Sequence, residues 1–293
     1  MLMTVRTLFH QMMKQERLNF LITNRIPRRS LTIFMGWFSQ IKQPLVRDAS
    51  IGLWRRFAAL DLDEAKKTQF TSMHDCFIRE LKPGRRPIHP DANVLTSPCD
   101  GIVGACGCVA GTQVFQAKGY PYELLDLLGD PDTTLQYMDG SYVTIRITSS
   151  MYHRFHAPLD CEIHRVNYIS GDTWNVNPIA LKRVENLFCK NERAVVHARP
   201  NAGGPDVLLV AVAAVLVASI RLHFVDALLH LRYRGPNRID CKASFAKGDE
   251  MGWFQHGSTI IVFAPKGYEL CANIQEGEPL RVGAPLMRVK RAE

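Results

Sequence analysis

Short apolar runs separated by turn residues fill the chain from Arg86 onward, and this pattern constrains the fold more than any other feature. The runs cover residues 102–109, 143–147, 162–169, 207–220, 258–263 and 280–289. Runs of this length with glycine, proline and aspartate between them are typical of strands in a β-sandwich or barrel. The longest, 207–220, falls short of the roughly 20 residues needed to span a bilayer, so we interpret it as a buried strand or strand pair.

The first 65 residues have a different, helical pattern. Apolar side chains recur there at roughly helical spacing, among them Leu8, Leu18 and Phe34, and basic residues lie between them. Further short helices are expected within 122–128 and 177–188. The sequence therefore predicts an α+β fold, with amphipathic N-terminal helices in residues 1–65 followed by a β-rich, sandwich- or barrel-like catalytic domain in residues 66–293.

The positive charge of the chain lies entirely in its first 60 residues. The net charge is +8, and residues 1–60 contain ten basic and two acidic side chains, which leaves 26 of each in the remainder. A basic end segment can bind nucleic acid or an anionic membrane. The interleaved apolar residues, with Trp37 and Trp54 among them, favour a helix that lies in the headgroup region of a membrane. The alternative is a helical cap packed on the main domain.

The cysteines and the N-terminus indicate the compartment. Eight cysteines show no CxxC pair and no zinc-type spacing, so we expect reduced thiols in a cytosolic environment. The first twenty residues lack the apolar core and small-residue cleavage site of a secretory signal.

Three stretches carry side chains capable of chemistry: residues 97–101 (SPCDG), 151–158 (MYHRFHAP) and 247–259 (KGDEMGWFQHGST). They supply Asp100, His153, His156 and Ser258. A serine becomes nucleophilic when a histidine takes its proton and a carboxylate orients that histidine. Gly257 leaves its own carbonyl open to the neighbouring hydroxyl, although a glycine that merely leads into a strand has the same pattern.

The two histidines admit more than one interpretation. His153 and His156 are three residues apart and would share a face of a helix. A metal site with Cys161 or His164 is one hypothesis, but no metal signature such as HExxH accompanies them. Structural hydrogen bonding and proton transfer are the others.

Taken together, these stretches resemble the bacterial phosphatidylserine decarboxylase proenzymes, which depend on a pyruvoyl group. The resemblance runs from about residue 77 to the C-terminus and includes the segments 116–119 (QAKG), 176–178 (VNP) and 187–193 (LFCKNER). The N-terminal 60 residues match only in being basic, amphipathic and helical. At His256 many relatives have an apolar residue, and this departure leaves Gly257, Ser258 and Thr259 intact.

The resemblance implies a self-cleaving enzyme. Ser258 would attack the Gly257 carbonyl, which divides the chain into residues 1–257 and 258–293 and converts Ser258 to the pyruvoyl group. Asp100 and His156 would assist cleavage, and His153 would contact substrate. The pyruvoyl group would form a Schiff base with phosphatidylserine and accept electrons as carbon dioxide leaves, giving phosphatidylethanolamine. No metal is implied.

The resemblance also implies partners and a location. We expect a heterodimer of the two cleavage chains, with further dimerisation left open, attached peripherally to the cytoplasmic face of the inner membrane. Phosphatidylserine and an anionic membrane surface are the expected partners, and nucleic acid is not. Two other functions stay open at this point: a Ser–His–Asp hydrolase with an intact Ser258, which would lack the Gly-x-Ser-x-Gly elbow, and a non-catalytic membrane-binding module.

Overall fold

The computed structural model describes residues 15–58, 60–117, 120–216, 219–255 and 258–290. Three longer helices lie at the N-terminus and five short ones follow. The helices are α1 (Glu16–Asn24), α2 (Arg28–Phe38), α3 (Pro44–Phe57), α4 (Met73–Phe77), α5 (Leu124–Leu128), α6 (Pro131–Gln136), α7 (Pro178–Leu181) and α8 (Leu187–Lys190). The helices expected in residues 1–14 lie outside the described residues.

The described residues also form seventeen strands. In chain order they are β1 (Val94–Thr96), β2 (Gly101–Cys108), β3 (Gln113–Ala117), β4 (Tyr120–Glu123), β5 (Ser141–Ile147), β6 (Arg154–His156), β7 (Cys161–Ile169), β8 (Arg193–Pro200), β9 (Val207–Val212), β10 (Ile220–Leu222), β11 (Leu228–Leu229), β12 (Arg238–Phe245), β13 (Glu250–Phe254), β14 (Ser258–Ala264), β15 (Tyr268–Leu270), β16 (Pro279–Leu280) and β17 (Pro285–Val289). The pairings are antiparallel throughout these strands.

The largest sheet has eight strands in the order β12-β7-β8-β9-β14-β5-β2-β16. Its middle strands β9 and β14 are buried at every residue, because their Val, Ile, Leu and Ala side chains are covered on both faces. A smaller sheet, β11-β10-β13-β6, lies beside it. The α+β class and the β-rich domain are therefore confirmed, with open sheets rather than a closed barrel among the described residues. The run 207–220 contains the buried strand β9, and its last residue, Ile220, begins β10 in the smaller sheet.

The N-terminal helices turn their polar side chains inward. The buried residues of α1 are Asn19 and Asn24, and those of α2 are Thr32 and Gly36. Asn24 Oδ1 accepts a hydrogen bond of 3.1 Å from the backbone N–H of Asn175, which lies between β7 and α7. Several large apolar side chains of these helices, including Leu21, Phe34 and Trp37, are exposed, whereas Phe20 packs against the core of the β-rich domain.

Two hydrogen-bonded anchors hold these helices to the domain. Arg28 forms an ion pair with Asp172 and lies over the ring of Trp174, 3.7 Å from its centroid. Thr32 Oγ1 accepts a hydrogen bond of 3.0 Å from the N–H of Leu216. Within the described residues, no helix is long and apolar enough to cross a bilayer.

Candidate active site

Asp100 is held by an arginine that the sequence gave no reason to single out. It immediately precedes β2, and its side chain is almost buried, with 11% of it exposed. Arg86 donates hydrogen bonds to both carboxylate oxygens, from Nε to Oδ1 at 2.8 Å and from Nη2 to Oδ2. The backbone N–H of Val282 donates a further bond of 2.9 Å to Oδ1. Arg86 also binds Glu64 at 2.9 Å, so a single guanidinium pairs with two carboxylates.

His156 is the last residue of β6, and its two ring nitrogens have fixed partners. Nδ1 lies 2.8 Å from the carbonyl oxygen of Gly248, and Nε2 lies 3.0 Å from the hydroxyl of Tyr152. A carbonyl only accepts, so Nδ1 carries the hydrogen and Nε2 of the neutral ring has the free lone pair. Burial lowers the pKa of His156 below the ordinary 6.5. The ring is therefore neutral at physiological pH, with its basic nitrogen aimed at a phenol.

Gly248 supplies that carbonyl because only glycine tolerates its conformation. Its φ is +92°, in the left-handed region, and a Cβ would lie 2.6 Å from Ile88 Cγ1. The glycine thus sets the tautomer of His156 across 92 residues of sequence.

His153 is fully buried and lies just before β6. Its ring stacks on Phe77, with the centroids 4.0 Å apart, and its Nε2 lies 3.2 Å from the carbonyl oxygen of Ser149. Its own carbonyl accepts a hydrogen bond of 3.0 Å from the N–H of Phe254, the last residue of β13.

Ser258 is the first residue of β14 and is fully buried. It pairs with Ile147 of β5. Its hydroxyl has no hydrogen-bond partner among the described residues. Because an unpaired buried hydroxyl is costly in a folded protein, such a group at the expected cleavage point calls for a function. His256 and Gly257, which complete that point, lie outside the described residues.

The four candidate residues come from neighbouring elements but are not joined by hydrogen bonds. The 247–259 segment crosses from the smaller sheet, as β13, to the large sheet, as β14. Glu250 of β13 pairs with His156, and Phe254, four residues after Glu250, donates to the carbonyl of His153. Asp100 lies near enough for its charge to oppose the lowering of the His156 pKa, yet its oxygens bond to Arg86 instead. The assigned roles of these residues stay predictions.

A polar cavity of about 280 Å³ opens beside His156 and Tyr152. Four cations, Lys82, Arg85, Arg86 and Arg154, line it with two acids. Two of the four cations already have acidic partners, since Arg86 binds Asp100 and Glu64, and Arg154 binds Glu250 at 2.6 Å.

The one group of described residues that could hold a metal excludes both candidate histidines. It consists of His164, His197 and Asp206, whose ligand atoms lie within 4.8 Å of one another. The Asp206 carboxylate is already 2.6 Å from His164 Nε2 and 3.6 Å from the guanidinium of Arg199. These contacts neutralise it without a metal ion.

Comparison with known proteins identifies the family. The sequence profile described as phosphatidylserine decarboxylase matches residues 73–288. The chain is similar to proteins named phosphatidylserine decarboxylase proenzyme from several bacteria. The one from Aliivibrio fischeri is 32% identical over 274 residues, covering 90% of this chain and 95% of that protein. The one from Saccharophagus degradans is 34% identical over 253 residues, with 83% and 86% covered.

The chain belongs to the phosphatidylserine decarboxylase family. The resemblance read from the sequence is thereby confirmed. All four candidate residues, from Asp100 to Ser258, lie inside the range that matches the phosphatidylserine decarboxylase profile. A third relative of the same name, from Methylococcus capsulatus, is 33% identical over 269 residues, with 89% of this chain and 93% of that protein covered.

Three groups at this site of a phosphatidylserine decarboxylase family member escaped the sequence analysis. Tyr152 and Gly248 both lie within the quoted stretches, and a tyrosine four residues before His156 was the available signal. Arg86 lies outside them, next to Arg85 and Pro87, and nothing local marks it. Its partner Asp100 is fourteen residues away, and only the fold shows which arginine it takes.

Proposed function

We propose that this chain is a phosphatidylserine decarboxylase that cleaves itself between Gly257 and Ser258 and works at an anionic membrane surface. The buried, unpartnered hydroxyl of Ser258 carries the proposal, because it supplies a nucleophile at the bond where a proenzyme of this family must be processed. Family membership gives the substrate class.

The proposed cleavage begins with attack by Ser258 Oγ on the Gly257 carbonyl. The hydroxyl proton goes to a base, the peptide C–N bond breaks, and the Ser258 nitrogen takes up a proton as the ester forms. A base then removes the Cα proton of residue 258 while the Cβ–O bond of the ester breaks, which releases residues 1–257 as a carboxylate and leaves an enamine at residue 258. The enamine becomes an imine, and water replaces its nitrogen, which leaves as ammonia and gives the ketone. Ser258 itself is shielded from solvent.

His156 is our candidate for the base. Its Nε2 lone pair is available because Nδ1–H is committed to Gly248, and its lowered pKa keeps it neutral. The hydroxyl of Tyr152 must leave Nε2 for that proton transfer to occur. Asp100 acts on His156 through its charge, from a position fixed by Arg86, rather than through a direct hydrogen bond.

Ser258 also fits the role of precursor of the pyruvoyl group, since its unpaired hydroxyl has no structural bond to give up. That group would supply a carbonyl that holds the amine of the lipid and accepts electrons as carbon dioxide leaves. His153, buried against Phe77, is our candidate for holding substrate beside it. His156, once protonated, is a ready proton donor because its pKa is low.

The N-terminal helices are proposed to dock on the membrane, because they expose large apolar side chains. The buried residues of α1 and α2 are Asn, Thr and Gly, with Phe20 partly buried against the core. The exposed apolar residues of α1, α2 and α3 include Leu21 (54%), Phe34 (51%), Trp37 (63%), Leu45 (77%) and Leu53 (60%). Exposed cations, including Arg17, Arg29 and Arg56, lie on the same helices. An apolar face with flanking cations suits an anionic bilayer surface.

The remaining parts of the proposal concern organisation and location. We propose a membrane-docking segment in residues 1–65, a catalytic domain in 66–293, and a heterodimer of chains 1–257 and 258–293. Peripheral attachment at the cytoplasmic face of the inner membrane agrees with the eight free cysteines, which a reducing compartment preserves.

Intact-mass analysis tests the cleavage. The purified chain should give two species that meet between residues 257 and 258, the smaller one carrying a pyruvoyl terminus. Ser258→Ala should give one uncut chain that releases no carbon dioxide. A single wild-type species with an ordinary serine would contradict the proposal and leave the hydrolase and the membrane-binding module as alternatives.

Flotation with vesicles tests the membrane surface. Trp37→Ser with Leu45→Ser should weaken binding to phosphatidylserine vesicles, because two exposed apolar groups no longer insert. Leu135→Ser is the matched control, since Leu135 is 63% exposed but lies on α6. Equal binding by both proteins would show that these helices only cap the domain.

A further inference from the structure

A second cavity, of about 310 Å³, lies against the strand that begins with Ser258. Its floor is formed by one face of the large sheet, where Arg146 of β5 lies between Ile102 of β2 and Thr259 of β14. Pro178, Leu181 and Phe188 close the opposite side. Gln116 holds that side in place by donating to the carbonyls of Leu181 and Val184, at 2.8 and 2.7 Å.

Arg146 is the unusual residue of this cavity. It is half-buried, and burial lowers its pKa, so its charge is held where solvation is poor. Within the described part of the chain, no hydrogen bond, ion pair or aromatic ring contact to its guanidinium is found. Buried charges in proteins are normally paired, so an unpaired one in a cavity is a mark of a ligand.

The surroundings define what the ligand must offer. Thr144 and Thr259, on the same face, are buried, and within the described part of the chain their hydroxyls have no hydrogen-bond partner. A rotation about χ1 exchanges the methyl and hydroxyl of a threonine, so either can turn a donor toward the cavity. Lys182 and Glu276 stand at the exposed mouth and cancel in charge. The net charge inside is that of Arg146, and the fitting ligand is an anion with several oxygens and an apolar attachment.

We propose that Arg146 binds the phosphodiester of the phospholipid headgroup and so determines affinity for the substrate. This rests on the proposed function. Thr259, which directly follows Ser258, faces Arg146 across the strand pair. Because side chains alternate along a strand, the Ser258 side chain lies on the opposite face, so the headgroup would pass around the first residue of β14 to reach the backbone of residue 258. The polar cavity beside His156 is less suited, since Arg86 and Arg154 there already have carboxylate partners.

The chemistry favours the phosphodiester over the carboxylate of the same headgroup. The carboxylate loses its charge as carbon dioxide forms, so an arginine bound to it would stabilise the ground state and slow the reaction. The phosphodiester keeps its charge throughout. Binding it stabilises ground state and transition state equally, which lowers KM and leaves kcat unchanged.

The kinetic test uses Arg146→Gln and Arg146→Lys in the full-length, processed protein. With phosphatidylserine in mixed micelles, Arg146→Gln should raise KM about 10- to 100-fold, as for loss of charged hydrogen bonds, with kcat within about twofold. Arg146→Lys should have a KM between those of wild type and Arg146→Gln, because lysine keeps the charge but cannot form bidentate hydrogen bonds. Arg238→Gln, an exposed arginine on β12, is the control and should match wild type. A fall in kcat at constant KM would overturn the proposal.

A binding test needs no turnover. Glycerophosphoethanolamine should raise the melting temperature of wild type but not of Arg146→Gln, and it should do so at lower concentration than inorganic phosphate. If inorganic phosphate raised the melting temperature as potently as glycerophosphoethanolamine, the cavity would be a site for free anions and the lipid assignment would be wrong. The assignment would also be wrong if glycerophosphoethanolamine stabilised Arg146→Gln as much as wild type. Without ligand, Arg146→Gln should melt no lower than wild type, since no contact is lost. If the wild-type chain bound glycerophosphoethanolamine but released no carbon dioxide from phosphatidylserine, the proposed function would be contradicted and the Arg146 site would not.

Discussion

The pair of Arg86 and Asp100 gives the sharpest stability prediction. Their side chains are 10% and 11% exposed, so solvent screens the interaction little. Arg86→Met would leave Asp100 with one remaining bond, from the N–H of Val282, and an uncompensated buried charge. Breaking a buried pair in this way costs about 3–5 kcal/mol. At about 2–4 °C per kcal/mol for a domain of this size class, the melting temperature should fall by roughly 6–20 °C.

The assay should use a Ser258→Ala background, so that all proteins compared are one uncut chain. Thermal melts followed by circular dichroism would then report folding alone. Arg238→Met is the matched control: its partner Asp240 is 72% exposed, and loss of such a surface pair should change stability by less than about 1 kcal/mol.

A second variant separates the charge effect from lost packing. Adding Asp100→Asn to Arg86→Met should recover part of the stability, because the orphaned charge is removed. A loss below about 1 kcal/mol, or a loss that Asp100→Asn does not reduce, would refute the assignment.

Two other predictions concern His156 and its carbonyl partner. Gly248→Ala should lower stability by about 1–3 kcal/mol in thermal melts and slow cleavage, because its left-handed φ and the 2.6 Å approach to Ile88 displace the carbonyl. Gly84→Ala is the control. Gly84 also has a left-handed φ, +78°, but a Cβ there would meet no atom within 4 Å, so this variant has the backbone strain without the clash and should cleave normally. Because the pKa of His156 is lower in the folded chain than the ordinary 6.5, the unfolded chain binds the proton first, and stability should drop as pH falls below about 6.5. His156→Gln should show a smaller drop than wild type between pH 7.5 and 5.5, and an identical drop would place the titration elsewhere.

The fold class could be predicted from the sequence because strand signals are local. Glycines, prolines and aspartates mark the turns, and β14 is apolar at every residue from Ile260 to Ala264 because it is covered on both faces. The orientation of the N-terminal helices could not be predicted. An amphipathic pattern shows that a helix has two faces but not which of them docks, and here Asn19, Asn24 and Thr32 face the domain.

The candidate site could be named from the sequence, but its connections could not. The three stretches named Asp100, His156 and Ser258. In the fold, Asp100 precedes β2 and Ser258 begins β14, with β5 between these strands of the large sheet, and His156 ends β6 of the smaller sheet. The partners of those residues are set by contacts between elements distant in sequence: Gly248 is 92 residues from His156, and Val282 is 182 from Asp100. Arg146 was hidden for another reason. Arginine is frequent on exposed strand faces, and only the cavity shows that this one has no partner.

The position of Ser258 explains how a cut there can leave a working protein. Residues 258–290 provide β14, which lies between β5 and β9, together with β16 paired to β2 and β17 paired to β1. Four consecutive side chains of β14, from Ile260 to Phe263, are fully buried, which at about 1.5–3 kcal/mol each gives roughly 6–12 kcal/mol. The two pieces therefore share one core and would stay together without the peptide bond. Because Thr259 is already hydrogen-bonded into the sheet, a new terminus at Ser258 would remain beside the cavity that contains Arg146, held by the strand behind it.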